Sequence, residues 1–226
     1  MHYILPILAV LSGFAFVLMF KPKKQKNLRL LLAFSGAFLL SLTIFSLLPE
    51  VYRTGNAKQT GVYIIFGILL QIFLEFFSKG AEHGHVHLHN NKNVFPWLIF
   101  ISLGLHSVLE GLPVHEHREL VYGIIIHKLP VAIVLGTFFL GSSMKRQHVV
   151  IFLILFSIMT PLGTLLAEHV SFLIRYSQQI SALVVGIFLH ISTIILFESS
   201  EGHKFNINKL IVIIIGVASA YFLHYF

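Results

Sequence analysis

The sequence predicts an all-α integral membrane protein, with eight transmembrane helices in one bundle. Three observations predict it. Of 226 residues, 56% are hydrophobic and only 11% charged, with a mean hydropathy of +0.86. A soluble domain carries about 25% charged residues, because its surface must face water. Eight mainly apolar stretches also reach, or nearly reach, the roughly 20 residues that a helix needs to cross a bilayer. Finally, the basic residues are distributed unevenly between alternate loops, as in membrane proteins of fixed orientation.

The stretches are about 2–20, 28–49, 60–79, 95–114, 119–141, 147–167, 179–197 and 207–226. The first lacks a preceding basic segment and a following small-residue cleavage site, so it reads as a membrane helix and not a cleaved signal. Lys21, Lys23, Lys24, Lys26 and Arg29 follow it. The second ends at Pro49-Glu50. The third leads into a histidine-rich loop at 80–94. The fourth contains Gly104, Gly111 and Pro113, and the fifth contains Pro130. The sixth, seventh and eighth complete the bundle. Little lies outside these stretches, so residues 1–226 read as one membrane domain.

Eleven basic residues fall in the loops after odd-numbered spans: Lys21, Lys23, Lys24, Lys26, Arg29, Lys79, Lys92, Lys145, Arg146, Lys204 and Lys209. Four, Arg53, Lys58, Arg118 and Arg175, fall in the other loops. Basic residues prefer cytoplasmic loops, so both termini are expected outside the cytoplasm, in a plasma or inner membrane. This distribution also accounts for the net charge of +7, and no nucleic-acid partner is needed. The chain has no cysteine, which excludes disulfides, thiolate metal sites and cysteine nucleophiles.

Histidine is abundant, with 14 copies, and all nine acidic residues are glutamate. An ionisable group at the bilayer centre costs several kcal/mol on insertion scales, so such groups face other helices or a polar path. His106, Glu110, His127 and Lys128 are placed at that depth. His106 and Glu110 are four apart and share a helix face. The link His115–Arg118 is short, so the fourth and fifth spans are expected to be antiparallel neighbours. His106 precedes residue 114 by 8 positions and His127 follows residue 119 by 8. At 1.5 Å per residue, both imidazoles lie about 12 Å below the same edge.

Two imidazoles and a carboxylate at one depth suit Zn²⁺ or a similar borderline divalent ion. The alternative is a set of hydrogen-bonded histidines bracing the bundle. Prolines inside these spans free backbone carbonyls, which membranes tolerate where the group is buried in protein or lines a cavity.

The motifs His106-Ser107-Val108-Leu109-Glu110-Gly111-Leu112 and His127-Lys128-Leu129-Pro130-Val131-Ala132 resemble the paired signatures of the ZIP (Zrt/Irt-like) metal transporters. Phe45-Ser46-Leu47-Leu48-Pro49-Glu50, Thr160-Pro161-Leu162-Gly163 and Gly186-Ile187-Phe188-Leu189-His190 are similar to further family steps. The resemblance implies a secondary transporter that imports a divalent metal, usually zinc, into the cytoplasm. It implies a two-block architecture in which central fourth and fifth spans carry metal on His106, Glu110 and His127, and it is compatible with a homodimer.

The chain departs from the family pattern at several positions. Lys128 and Val131 stand where many members carry carboxylates for a second metal, although a subset does carry His-Lys. Ile194 and Ile195 fall at an acidic position of the seventh span, and Ser46 replaces a usual histidine. Ser107 and Lys128 therefore occupy the second-site position, where Lys128 would act as a tethered cation that balances Glu110 and repels a second ion.

Three further features are candidates for metal handling. Glu50, His115 and His117, with the Glu168-His169 pair, could attract cations at the entrance. His83, His85, His87 and His89 could hold metal in the cytoplasmic loop. His190 reads either as a fourth ligand or as an interior hydrogen-bonding residue. The competing function is a haem-binding electron carrier with His106 and His127 as axial ligands. An intramembrane metalloprotease lacks its signature, since His115-Glu116-His117-Arg118-Glu119 has the wrong spacing.

Overall fold

The computed structural model of the chain describes residues 2–22, 25–78, 80, 95–117, 119–198 and 207–225. It contains ten α-helices among these residues: α1 (Ile4–Phe20), α2 (Gln25–Leu42), α3 (Leu48–Thr54), α4 (Ala57–Ser78), α5 (Trp97–Gly111), α6 (Leu120–Gly141), α7 (Arg146–His169), α8 (Ser171–Arg175), α9 (Ser177–Glu198) and α10 (Ile207–Tyr225). A π-helical turn, Thr43–Leu47, joins α2 to α3, and a 3-10 turn, Leu112–His115, extends α5. Seven of the helical segments are long and apolar enough to cross a membrane, and α1 is a shorter apolar helix. Residues 81–94 of the histidine-rich loop lie outside the described residues.

The second span is longer than expected. It runs as one helix from Asn27 to Thr54, through Pro49. Proline has no N–H to give to the carbonyl four residues earlier. The π turn immediately precedes it, and such turns are where a helix absorbs an interruption. α5 instead tightens into the 3-10 turn at Leu112, beside Pro113.

The helices form two groups. In one, α4 lies along α9 and α10 along α2, with α2 also against α9. In the other, α1 lies along α6 and α5 along α7, with α1 also against α7. The groups meet chiefly where α2 crosses α6 and α4 meets α5. Each group has its own apolar core. One gathers Leu39, Leu42, Leu47, Val184, Phe188 and the start of α6 at Leu120 and Ile124. The other gathers Phe14, Leu103, Phe152, Phe156 and the later part of α6 at Val131, Leu135 and Phe139. α6 packs into both cores, with Leu120, Val121, Ile124 and Val134 in the first and Val131, Ala132, Leu135 and Phe139 in the second.

α5 and α6, joined by a short link, face each other through Ser107, Glu110 and Lys128 and the rings of His106 and His127, but their closest backbone packing is with other helices: α5 lies against α7 and α4, and α6 against α1 and α2. The reason is steric. α5 approaches α7 closely through glycine, while bulky polar side chains fill the space between α5 and α6. A Cβ at Gly163 would stand 2.0 Å from the Val108 carbonyl oxygen, and one at Gly186 would stand 2.0 Å from that of Ile64. Small residues that allow such approach are the usual packing device between membrane helices.

Large apolar side chains remain exposed on α4 (Ile65, Phe66, Leu69, Phe73, Phe76) and on α10 (Ile211, Ile214, Ile215, Phe222). Such surfaces need lipid, not water, around them.

Gly163→Ala and Gly186→Ala are each expected to cost about 1–3 kcal/mol by overpacking. Gly141→Ala, whose Cβ would meet nothing within 4 Å, should leave the thermal midpoint in detergent unchanged. Equal midpoints for all three would refute the close-approach account.

Candidate metal centre

His106 and Glu110 lie one turn apart on α5, and His127 and Lys128 lie side by side on α6; all four are almost fully buried. One ligating atom from each of His106, Glu110 and His127 can be chosen so that all three lie within 4.8 Å of one another. The two rings stand nearly perpendicular, with centroids 6.4 Å apart. Ligands around a tetrahedral ion at 2.0–2.2 Å lie about 3.4 Å apart, so a small inward movement would close this group on a metal.

The two oxygens of Glu110 have different surroundings. Oε1 is 3.1 Å from Lys128 Nζ and accepts a hydrogen bond from Thr160 Oγ1, also at 3.1 Å. Oε2 faces His106 Nε2 at 3.1 Å, off hydrogen-bond geometry. Among the described residues, Oε2 and both ring nitrogens of His106 are buried without a hydrogen-bond partner. Buried polar atoms are nearly always paired, and unpaired ones mark a cost that a ligand can remove.

Lys128 is held from three sides. Nζ donates to Ser107 Oγ at 2.6 Å, pairs with Glu110, and lies 4.4 Å from the centre of the Phe156 ring. Its place deep in the protein leaves no route for it to snorkel to water. His127 Nδ1 is 3.5 Å from Ser35 Oγ on α2, a contact that crosses between the two helix groups. Metal-bound histidines commonly orient their second nitrogen on such an oxygen.

The other sequence candidates do not converge here. Glu50 pairs with Arg53 on α3 at 2.8 Å. His115 lies against Glu168 at 3.1 Å, at the end of α7. Among the described residues no contact joins Glu50, His115 and His117 into one group. His190 Nε2 lies 2.7 Å from Glu75 Oε2 and serves the α4–α9 contact, away from the cluster. His83, His85, His87 and His89 lie outside the described residues.

Thr160, Ser35 and Phe156 were not singled out as site residues by sequence. Thr160 alone carried a signal, as a hydroxyl immediately before a proline within a span. Ser46, in the π turn of the second span, donates to Glu119 Oε1 at 2.8 Å, tying that span to the residue before α6.

The chain is thus a bundle of apolar helices, seven of them long enough to cross a membrane, with a buried His/Glu/His group that could hold a metal ion. The sequence model of the ZIP zinc transporter family matches residues 78–224, and the chain belongs to this family. It is similar to "Zinc transporter ZIP1" of Bos taurus and of Homo sapiens, 35% identical over 133 residues in each case. That covers 54% of this chain and 41% of each relative. It is also similar to "Zinc transporter ZIP1" of Danio rerio, 33% identical over 89 residues, or 37% of this chain and 30% of that one. The matched stretch thus spans less than half the length of these relatives.

Removing one partner of a buried ion pair leaves the other charge uncompensated, at about 3–5 kcal/mol. Lys128→Met should therefore lower the thermal midpoint of metal-free protein sharply. Thr160→Val removes only one neutral hydrogen bond from the carboxylate and should cost about 1–3 kcal/mol. The reverse order of the two would refute the assignment of Lys128 as the main partner of Glu110.

Proposed function

We propose that the chain is a secondary transporter that carries a divalent transition metal, Zn²⁺ foremost, into the cytoplasm through a single buried site made by His106, Glu110 and His127. The observation that carries this reading is the close approach of three ligand-type groups in a lipid-facing bundle, with Glu110 Oε2 and His106 Nε2 buried and unpaired. Membership of the ZIP family and the names of the similar proteins support Zn²⁺ as cargo. The basic-residue bias supports termini on the outer side of a plasma or inner membrane.

The arriving ion exchanges water for two imidazole nitrogens and Glu110 Oε2. Lys128 and Thr160 hold Oε1 meanwhile, so the carboxylate keeps one orientation whether the site is full or empty. Without metal, Lys128 balances the charge of Glu110. A second divalent ion beside Nζ meets repulsion of about 8 kcal/mol at 4 Å and an effective dielectric of 20. That favours one ion per site. Release follows when the two helix groups move relative to each other, since the ligands ride on one group and Ser35 on the other.

The haem reading gains nothing from this geometry. The carboxylate of Glu110 lies 3.1 Å from His106 Nε2, so an iron on that nitrogen would have a charged carboxylate beside it. Absorption of purified protein in the Soret region tests it directly.

Proteoliposomes with a trapped fluorescent indicator, exposed to a panel of metals, test the transport reading. Glu110→Ala should abolish uptake while inserting normally, and wild-type uptake by this variant would refute the site. Lys128→Ala should alter metal stoichiometry or selectivity. A variant with one bound ion and unchanged selectivity would overturn the tethered-cation role.

A further inference from the structure

The hydroxyls of Ser41, Thr43, Ser192 and Thr193 each donate to the carbonyl four residues earlier in their own helix. That is the ordinary use of a short hydroxyl side chain inside a helix. Ser35 on α2 differs. Its Oγ lies 3.5 Å from His127 Nδ1 on α6 and, among the described residues, makes no backbone bond. Ser35 is completely buried and His127 almost so, which keeps bulk water from either group.

Ser35 is also firmly seated in its own helix group. A Cβ on the adjacent Gly36 would stand 2.8 Å from Ile195 Cγ2 and 3.4 Å from the Ser192 carbonyl oxygen, so α2 lies tight against α9 at this level. The candidate ligands ride on the other group, on α5 and α6. Lys128 and Thr160, which fix Glu110 Oε1, belong to that same group. Among the described residues, Ser35 is thus the side chain that reaches a ligand nitrogen from across the boundary.

We propose that Ser35 is a positioning residue for metal binding: its hydroxyl fixes the ring of His127 so that Nε2 offers its lone pair to the ion. The inference rests on the reading of His106, Glu110 and His127 as the ligands. A neutral imidazole has one N–H and one lone pair, and a metal takes the lone pair. With the ion on Nε2 the proton resides on Nδ1, the nitrogen that faces Ser35. Nδ1–H then donates to Oγ, which sets the ring plane and makes Nε2 a better ligand. A hydroxyl both accepts and donates, so it also serves the empty site, whichever nitrogen carries the proton. The grip on the ion is strongest while α2 stands level with His127. It weakens once the groups slide apart, with no change in the ligands themselves.

The test uses full-length protein in detergent, with His83, His85, His87 and His89 changed to alanine so that the loop contributes no ions. Titration with Co²⁺, followed by its visible absorption, reads the affinity. Ser35→Ala should weaken binding about 10–100-fold, the usual effect of removing such a partner. Ser41→Ala removes a hydroxyl from the same helix that bonds only the Ala37 carbonyl, and should bind as the parent does. In proteoliposomes, Ser35→Ala should raise the KM for Zn²⁺ by a similar factor and leave the maximal rate undiminished. Mere damage to the fold would lower the maximal rate instead.

Parent-like affinity in Ser35→Ala, or equal losses in Ser35→Ala and Ser41→Ala, would overturn the proposal. Glu110→Ala keeps this outcome distinct from failure of the site itself. Parent-like Co²⁺ binding by Glu110→Ala would overturn the buried site and the role of Ser35 with it. Loss of binding there, beside an unaffected Ser35→Ala, would overturn the role of Ser35 alone.

Discussion

The structure depends on one carboxylate buried deep in the bundle beside an ammonium group. Glu110 lies in the interior of a chain whose surroundings are hydrocarbon, and a bare anion there is prohibitively costly. The fold meets that cost with one oxygen only. Oε1 takes an ammonium and a hydroxyl, while Oε2 keeps only a close approach from an imidazole. Anchoring is thereby separated from presentation within a single functional group. The rest of the neighbourhood serves this division: Ser107 and the face of Phe156 hold the ammonium, and Gly163 brings α7 close enough for Thr160 to reach across.

Much of this was legible in the letters, because the bilayer imposes strong rules. Apolar length located the spans, and the four-residue spacing of His106 and Glu110 placed both on one face. The matched depth of His127 anticipated the cluster. The short link anticipated that α5 and α6 face each other, but not how closely each packs on other helices. A short link between α5 and α6 fixes their direction but not how near their backbones come; glycine decided that by drawing α5 onto α7. The extension of the second span to Thr54 was hidden because a proline reads as an end, and a π turn is not encoded by any simple pattern.

Residues that support the site were harder to find than those that form it. Ser35 and Thr160 are hydroxyl side chains among many, and spans carry such residues for ordinary backbone bonds, as Ser41 and Thr43 do here. Nothing local distinguishes the one that orients a ligand. The contacts of Glu168 were legible only in part: His115 and Glu168 both read as entrance residues, while Tyr3, 165 residues from Glu168, and His2 carried no signal. His190, with two readings open at the sequence level, proved to be tied to Glu75 between α4 and α9.

α6 belongs to two cores at once, and His127 lies between Ile124 of the first and Val131 of the second. A helix held by both cores behaves as a lever with His127 along its length. Any slip of one helix group past the other changes the tilt or rotation of the imidazole. By thermodynamic reciprocity, whatever binds that imidazole biases the slip to the same degree. Occupancy and conformation are then two readings of one equilibrium, with no separate sensor required.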